Sequence, residues 1–227
     1  MKLHTETEEN YLKCILRFSM RGEEKVRTTT IANYLGTKPA SVTDMLNKLS
    51  KKNKKEEIPL VDYTPYQGVS LTEAGRKVAL KTLRKHRLWE VFLVDKLDFS
   101  WDNVHDVAEQ LEHVDSVELI RALDKFLGYP KFDPHGDPIP TEAGELEIPN
   151  TTLLSEVPAG EKVVIASVVR SDPDFLQYLG KLGLAINTRL EVQEHLPFDE
   201  SIQVKVEEKE LIINGNVAQN LKVQMEA

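Results

Sequence analysis

The sequence contains a single cysteine, Cys14, among its 227 residues. One thiol excludes an internal disulfide and a zinc site built from several thiolates. Scarce cysteine is typical of a reducing compartment, so we expect a cytoplasmic protein. No run approaches 18 apolar residues, which excludes a predicted membrane span, and the N-terminal residues lack the apolar core of a secretory signal.

Positive charges are outnumbered by negative ones overall, and they are unevenly distributed. The net charge of −8 would by itself argue against nucleic-acid binding. Residues 1–90, however, contain 18 Lys and Arg against 11 Asp and Glu, a net of +7. Residues 91–227 contain 11 against 26, a net of −15. This asymmetry predicts that only the N-terminal part of the chain meets phosphate, although ordinary surface charge is the alternative interpretation.

Three segments with helical apolar periodicity open the chain. Residues 7–20 predict a first helix, which Thr7 can cap. Residues 28–36 and 37–49 predict two shorter helices, each with a threonine at its N-terminal cap. Two short helices joined by a tight turn, here at Gly36, are typical of a helix-turn-helix.

Two strand-like runs follow, residues 60–64 and 68–71, and predict a wing beside the helix-turn-helix. We expect the side chains outside the apolar stripe of the second short helix to contact base edges, and the lysines that follow to contact phosphates. The residues that we expect at DNA are Thr28, Lys38, Ser41, Thr43, Asp44 and Lys48, with Lys51, Lys52, Lys54 and Lys55 at phosphates.

Metal-binding residue types recur at helical spacing further along the chain. Within residues 102–114 they stand at i, i+4, i+7 and i+8, which predicts one stripe of a single helix. A long predicted helix, from residue 72 to about residue 97, contains a second such pair at i and i+4. A solvated polar face is the alternative interpretation. The residues concerned are His105, Glu109, Glu112 and His113 in the first set and His86 and Glu90 in the second.

The C-terminal part of the chain has a different pattern. Residues 128–150 are rich in Pro and Gly, which is typical of a linker. Short strand-like runs with a helical insert near residues 175–182 then predict a small β-barrel of roughly 75 residues. These runs are residues 162–170, 189–193, 202–206, 210–213 and 217–223.

The segments TEENYL, RKHRLWEVFL, VHDVAEQLEH and PHGDPIP occur in this order around the predicted winged helix-turn-helix. In this the chain resembles the metal-dependent repressors of the diphtheria toxin repressor family, and within it most resembles the three-domain manganese regulators. The resemblance covers nearly the whole chain. It implies an α+β protein with a winged helix-turn-helix DNA-binding domain over residues 1–75, a helical metal-binding and dimerisation domain with its linker over residues 76–149, and an SH3-like β-barrel over residues 150–227.

The resemblance also implies two metal sites per chain. Asn10 stands where the family more often has Met or Asp, with Glu9 and Glu6 as alternative donors on the first helix. Glu109 stands where iron-type members carry Cys. The implied ligands of one site are Asn10, Glu109, Glu112 and His113, and those of the other are His86, Glu90, His105, Asp133, His135 and Asp174, with Asp172 as the alternative to Asp174.

All these donors are oxygen or imidazole nitrogen, which suits Mn²⁺, with Fe²⁺ as the alternative. Without metal, we expect the carboxylates of Glu90, Glu109 and Glu112 to repel one another and to leave the first helix loosely held. The resemblance implies a repressor of metal-uptake genes that binds double-stranded operator DNA as a homodimer and has neither a membrane nor a small organic ligand as partner.

Two other functions compete with this one. The chain could be a winged-helix regulator whose metal is purely structural. It could also be a metalloenzyme, because His and Glu clusters can hold a catalytic metal. We do not expect an enzyme, since the sequence contains no HExxH motif, nucleophile–base pair or phosphate-binding loop.

Overall fold

The computed structural model describes residues 4–51 and 58–226. The chain forms two compact units that alternate along the sequence. The first unit comprises Met1–His86, Glu109–Ala122 and Pro140–Glu145, and the second comprises Arg87–Ala108, Leu123–Ile139 and Leu146–Ala227. The predicted phosphate contacts Lys52, Lys54 and Lys55 lie outside the described residues.

Helix α1 (Glu6–Met20) begins at a capping box. The cap is Thr5, whose side chain accepts from the Glu8 N–H at 3.3 Å while its own N–H donates to Glu8 Oε2 at 2.8 Å. The prediction that Thr7 caps this helix is wrong. Thr5 is favoured because it places a glutamate three residues later, where that side chain can return to the cap backbone.

The predicted helix-turn-helix is present as α2 (Thr28–Tyr34) and α3 (Pro39–Leu49). Neither helix has the predicted threonine cap, since Arg27 and Lys38 occupy the N-cap positions without side-chain hydrogen bonds. Pro39 explains the second case, because a residue before proline is driven to extended backbone, and Lys38 has φ −83° and ψ 141°.

The predicted wing is a two-stranded antiparallel sheet of β1 (Val61–Thr64) and β2 (Gly68–Leu71). An additional bridge joins Val26 to Val69, which is fully buried. Apolar side chains of α1, α2 and α3 form the core beside the wing. The fully buried members include Leu12, Ile15, Leu16, Ile31, Val42 and Leu46.

Three further helices follow, α4 (Glu73–Leu97), α5 (His105–Leu111) and α6 (Val117–Phe126). The single helical stripe predicted over residues 102–114 is therefore wrong at its C-terminal end, because Glu112 and His113 lie in a turn. The Ser116 hydroxyl accepts from the Leu119 N–H at 3.2 Å. Helix α5 itself ends in a tight turn, in which the Val114 N–H donates to the Leu111 carbonyl at 3.1 Å, three residues back instead of four.

The second unit contains a six-stranded antiparallel sheet in the order β3-β8-β4-β5-β6-β7. The other predicted strands are present, but the strand predicted over residues 217–223 begins only at Leu221, because Asn214 caps a short helix that precedes it. The elements are β3 (Thr152–Leu153), a 3-10 turn (Leu154–Glu156), β4 (Lys162–Val168), α7 (Pro173–Leu182), β5 (Arg189–Leu196), β6 (Ser201–Val206), β7 (Lys209–Ile213), α8 (Gly215–Ala218) and β8 (Leu221–Met225).

The sheet and α7 enclose a continuous apolar core. Its largest fully buried side chains are Leu154, Ile165, Leu176, Leu179, Leu184 and Ile202. Among the described residues, no helix has the length and apolar character that crossing a membrane requires.

Cys14 lies in the core of the first unit and is 1% exposed. Burial raises the pKa of its thiol to about 12. Because only the thiolate is nucleophilic, we expect iodoacetamide at pH 8.5 to alkylate Cys14 at least ~100-fold more slowly in the native protein than in urea. Mass spectrometry of timed samples measures both rates, and equal rates would contradict the buried, protonated thiol.

Candidate metal centres

Six side chains of the first unit are grouped with one buried carboxylate, that of Glu112, whose exposure is 0%. They come from α1, from α4, and from α5 with the turn that ends it. We refer to the group as the Glu112 cluster. Its members are Glu9, Asn10, Lys13, His86, Glu109, Glu112 and His113.

Both oxygens of Glu112 accept hydrogen bonds. Lys13 Nζ lies 2.7 Å from each of them, and His86 Nδ1 lies 2.6 Å from Oε2. Burial raises the pKa of Glu112, but the contacts with His86 and Lys13 outweigh burial and hold that pKa below its ordinary value. Glu112 is therefore a charged group inside the protein, neutralised by its neighbours.

His113 is oriented by Glu9. Its Nδ1 lies 2.6 Å from Glu9 Oε2, and since a carboxylate only accepts, Nδ1 carries the proton. In the neutral ring the lone pair is then on Nε2, which lies 3.6 Å from Glu112 Oε1. A carboxylate that fixes the tautomer of a histidine in this way is common behind metal ligands. Glu9 thus supports His113, whereas Glu6, the other alternative donor, is exposed.

The amide oxygen of Asn10 is buried and has no hydrogen-bond partner among the described residues. An unsatisfied buried oxygen is costly unless a ligand completes it. With the carboxylates of Glu109 and Glu112 and the Nε2 of His113, the donor chemistry fits a hard or borderline divalent cation.

Lys13 is the member of this cluster that the sequence analysis missed. Its ammonium also lies 3.4 Å from Glu109 Oε1, and Lys85 Nζ lies 4.0 Å from Glu9 Oε1. The expectation that Glu109 and Glu112 repel one another without metal is therefore wrong for this structure, because a lysine lies between them. Helical spacing was the available signal, since Lys13 follows Asn10 by three residues on α1.

The second unit contains a separate group, the Glu90 cluster, made of Glu90, His105, Asp133 and His135. One ligand atom from each of Glu90, Asp133 and His135 lies within 4.8 Å of the others, and all three residues are buried. His105 Nδ1 lies 3.3 Å from Glu90 Oε1. His86, which was predicted with this group, precedes Glu90 by one turn of α4 and donates from Nδ1 to Glu112.

The orientation of His135 leaves one ring nitrogen suited to a metal. Its Nε2 lies 2.8 Å from the Trp101 carbonyl oxygen and must donate there. In the neutral ring the lone pair is then on Nδ1, which lies 3.9 Å from Glu90 Oε1. A backbone carbonyl that sets the tautomer is the usual support of a ligating histidine.

Asp133 is held by its own loop and by Arg87. Its Oδ1 accepts from the backbone N–H groups of His135 at 2.8 Å and Asp137 at 3.0 Å, and its Oδ2 lies 3.3 Å from Arg87 Nε. Burial, followed by the carboxylates of Asp137 and Glu90, raises the pKa of Asp133 well above its usual value. Asp133 and Asp137 thus share the guanidinium of Arg87.

The barrel residues proposed for this site, Asp172 and Asp174, lie at the start of α7. Asp174 is exposed in the first turn of α7 and is not a member of the Glu90 cluster. Asp172 caps α7, accepting from the Phe175 N–H at 3.2 Å, and also pairs with Arg170 at 2.8 Å. A barrel ligand therefore remains a prediction.

The predicted DNA contacts lie mostly on the exposed side of α3. Lys38, Ser41, Asp44 and Lys48 are exposed, as is Lys51 beyond the helix. Thr28 and Thr43 are half-buried, and Thr43 Oγ1 donates to the Pro39 carbonyl at 3.1 Å. Lys48 Nζ pairs with Glu8 Oε1 at 3.1 Å, which leaves its side chain 59% exposed.

Part of the basic segment at residues 84–87 serves the linker. Arg84 donates to the Pro140 carbonyl at 2.6 Å, and Arg87 donates to the Pro138 carbonyl and pairs with Asp137 at 3.1 Å. These arginines belong to the basic N-terminal part that was expected to meet phosphate. Paired basic residues opposite a linker with acidic side chains were the signal that could have shown their role.

A winged helix-turn-helix together with buried clusters of carboxylates and imidazoles defines a DNA-binding protein of the metal-responsive class. Comparison with known proteins supports this class. Residues 3–69 match the family model described as iron dependent repressor, N-terminal DNA binding domain, and residues 72–141 match iron dependent repressor, metal binding and dimerisation domain. Residues 152–225 match the FeoA domain.

Curated relatives agree with the family models. The iron-dependent repressor IdeR of Mycobacterium tuberculosis is 32% identical over 200 residues, which cover 83% of this chain and 84% of the relative. The diphtheria toxin repressor of Corynebacterium glutamicum is 29% identical over 203 residues, covering 85% and 86%. The chain belongs to the iron-dependent repressor family, that of the diphtheria toxin repressor, and is a metal-dependent transcriptional repressor.

Solved structures show the same fold. A manganese-dependent transcriptional repressor in complex with manganese matches with a TM-score of 0.83 and 33% identity, covering 96% of this chain and 100% of that chain. The manganese regulator SloR matches with a TM-score of 0.75 and 31% identity, covering 96% and 98%. The predicted fold class, with its winged helix-turn-helix, helical domain and small SH3-like β domain, is confirmed.

Gly136, beside His135, has a steric role that can be measured. Its φ is +81°, and an added Cβ would overlap the Ala166 carbonyl oxygen. We expect Gly136→Ala to cost roughly 1–2 kcal/mol for the left-handed backbone and a further 1–3 kcal/mol, roughly, for the displaced loop. Urea unfolding followed by tryptophan fluorescence reports on this loop, because Trp101 stacks on His135.

Gly128 supplies the matched control. Its φ is +77°, and an added Cβ would meet nothing within 4 Å, so Gly128→Ala carries only the backbone cost. Equal losses of stability in the two variants would contradict the close approach at Gly136.

Proposed function

We propose that this repressor senses Mn²⁺, with Fe²⁺ as the alternative, and controls genes for metal-ion uptake. The observation that carries the proposal is the Glu112 cluster, in which α1, the first helix of the DNA-binding part, meets carboxylate and imidazole donors from α5 and the turn after it. A change of charge in that cluster acts directly on α1, the helix that precedes the helix-turn-helix.

The donor set supports the choice of metal. Its donors are carboxylate, amide and imidazole groups, which suit Mn²⁺ and are also compatible with Fe²⁺. Cys14 is not available as a soft ligand, because its buried thiol has a pKa of about 12. The solved structures that match are named as manganese repressors and the curated relatives as iron-dependent repressors, which keeps Fe²⁺ as the alternative.

We propose two metal sites per chain. Asn10, Glu109, Glu112 and His113 would hold one ion, and a divalent cation there would supply the positive charge that binds α1 to the turn after α5. The other would be held by the Glu90 cluster with His86, and Asp174 or Asp172 would add a barrel ligand. The functional division at residues 1–75, 76–149 and 150–227 belongs to the same proposal.

The chain's own residues then act on DNA. Thr28, Lys38, Ser41, Thr43 and Asp44 would reach base edges and Lys48 would meet phosphate, in each protomer of a homodimer on double-stranded operator DNA. The family model over residues 72–141 is described as a dimerisation domain, which supports the homodimer. Binding to operator DNA implies a cytoplasmic location.

The two alternatives differ from this proposal in what a metal titration would show. A structural site stays filled, whereas a sensor fills over the range in which its DNA affinity changes. The metalloenzyme gains no support from the family, which is one of transcriptional repressors. We propose no catalytic residue.

Removing one donor from the Glu112 cluster should uncouple DNA binding from metal. We expect Glu109→Ala and His113→Ala each to abolish the metal-dependent gain in DNA affinity, because the remaining donors bind the ion less tightly. Glu73→Ala, which removes an exposed carboxylate of α4, serves as control and keeps the gain. A normal metal response in both cluster variants would overturn the site assignment.

Lys48 provides a test of the DNA interface. We expect Lys48→Ala to weaken binding to all DNA sequences alike and to lower the slope of log affinity against log salt by about 1, as loss of one phosphate contact does. Lys77→Ala removes a similarly exposed lysine of α4 and should leave the slope unchanged. An unchanged slope for Lys48→Ala would remove Lys48 from the interface.

The decisive experiment is a fluorescence-anisotropy titration. Chelator-treated protein would be mixed with labelled duplexes from upstream of metal-transporter genes in its own genome, and Mn²⁺, anaerobic Fe²⁺ or Zn²⁺ would be added at fixed salt. Affinity that rises by orders of magnitude with one ion supports the sensor and names its metal. Affinity indifferent to every ion favours the structural metal, and absence of binding reopens the enzyme alternative.

A further inference from the structure

The ammonium group of Lys13 has as many carboxylate acceptors as it has N–H donors. Its three N–H donors correspond to three acceptors, namely the two oxygens of Glu112 at 2.7 Å and Glu109 Oε1 at 3.4 Å. The lysine is 9% exposed, so water screens these contacts poorly. It is a buried, fully engaged internal cation.

A divalent ion at the proposed ligands would need the same oxygens. Hard cations bind carboxylate oxygens at about 2.0–2.6 Å, which is no longer than the distance from Lys13 Nζ to Glu112. Bridging the same carboxylate would therefore bring three positive charges within a few ångströms of one another. The ion and the Lys13 ammonium exclude each other from Glu112.

The exchange would take place along one face of α1. Asn10 and Lys13 are three residues apart on this helix, so both face the same neighbours. Lys13 is engaged with Glu112, while the Asn10 amide oxygen is buried without a partner among the described residues. The two side chains thus differ: the carboxylates satisfy Lys13, whereas no described residue satisfies the Asn10 oxygen.

We propose that Lys13 is an internal competitor of the metal ion, which a divalent cation must displace from Glu112 and Glu109 before it can bind there. Lys13 thereby sets the metal concentration at which the repressor responds. It is an affinity-determining residue, not a ligand. This inference rests on the proposed metal site and adds to it the residue that opposes occupancy.

The first test measures Mn²⁺ binding to the chelator-treated full-length protein without DNA. The electron paramagnetic resonance signal of free Mn²⁺ gives the bound fraction. We expect Lys13→Gln to bind Mn²⁺ at least tenfold more tightly than the native chain, because the competing charge is gone. Lys13→Arg keeps the charge and should bind Mn²⁺ as the native chain does. Lys77→Gln, which removes an exposed lysine paired with Glu73, is the matched control and should also leave Mn²⁺ affinity unchanged.

Thermal unfolding gives a second readout. Without Mn²⁺, Lys13→Gln should unfold at a lower temperature than the native chain, because the buried Glu112 loses its cation. Saturating Mn²⁺ should then raise its unfolding temperature by more than it raises that of the native chain. A lysine with only a structural role would lower stability without raising Mn²⁺ affinity.

A third measurement needs no variant and applies even if Lys13→Gln does not fold. Lysine acetylation by a trace of N-hydroxysuccinimide acetate, mapped by mass spectrometry, reports the accessibility of each amine. We expect Mn²⁺ to increase acetylation of Lys13 and to leave that of the exposed Lys77 unchanged. Labelling of Lys13 that does not respond to bound Mn²⁺ would overturn the proposal.

The two levels of inference fail differently. If the native chain binds Mn²⁺ but Lys13→Gln binds it equally or less tightly, only the role of Lys13 is wrong. If neither the native chain nor Lys13→Gln binds Mn²⁺, Fe²⁺ or Zn²⁺, the proposed metal site itself is wrong, and the role of Lys13 with it.

Discussion

The carboxylate of Glu112 has no contact with solvent, and a buried charge costs several kcal/mol unless partners compensate it. Its compensation comes from two helices, through Lys13 on α1 and His86 on α4, while Glu112 itself lies in the turn after α5. One charge therefore ties together three segments of the first unit. Helix α1 also supplies Leu12 and Ile15 to the core beside α2 and α3. The cation that neutralises Glu112 is therefore connected, through α1, to the helix-turn-helix.

The Glu90 cluster solves the same problem differently. Glu90 and Asp133 are both buried, but the cation that contacts Asp133 is the single guanidinium of Arg87. Burial and the neighbouring carboxylates raise the pKa of Asp133 well above its usual value. The two clusters therefore differ in the cation that contacts their buried carboxylates: an ammonium group contacts Glu112, and a guanidinium contacts Asp133.

The sequence predicted the order of elements well, because amphipathic periodicity and turn residues are local properties. The helix-turn-helix, the wing, α4 and the strands β4 to β7 were anticipated, whereas β3 was not and β8 begins four residues later than predicted. Its errors lie at helix ends, where alternatives one or two residues apart compete. Thr5 replaced Thr7 as the cap of α1 because the capping box needs a glutamate at its third position. Glu112 and His113 left the predicted helix because α5 ends in a tight turn, in which the Val114 N–H donates to the Leu111 carbonyl.

The sequence alone determined three features: the types and spacing of the candidate metal ligands, the basic N-terminal part and the resemblance to a repressor family. Each of them depends on residues near one another in the chain. Tertiary structure decided which charges meet. Lys13 is 99 residues from Glu112 and Glu9 is 104 residues from His113, so no local pattern relates them. The balance of charge in a buried site is a property of such distant pairs, because only folding removes the water that would otherwise screen them.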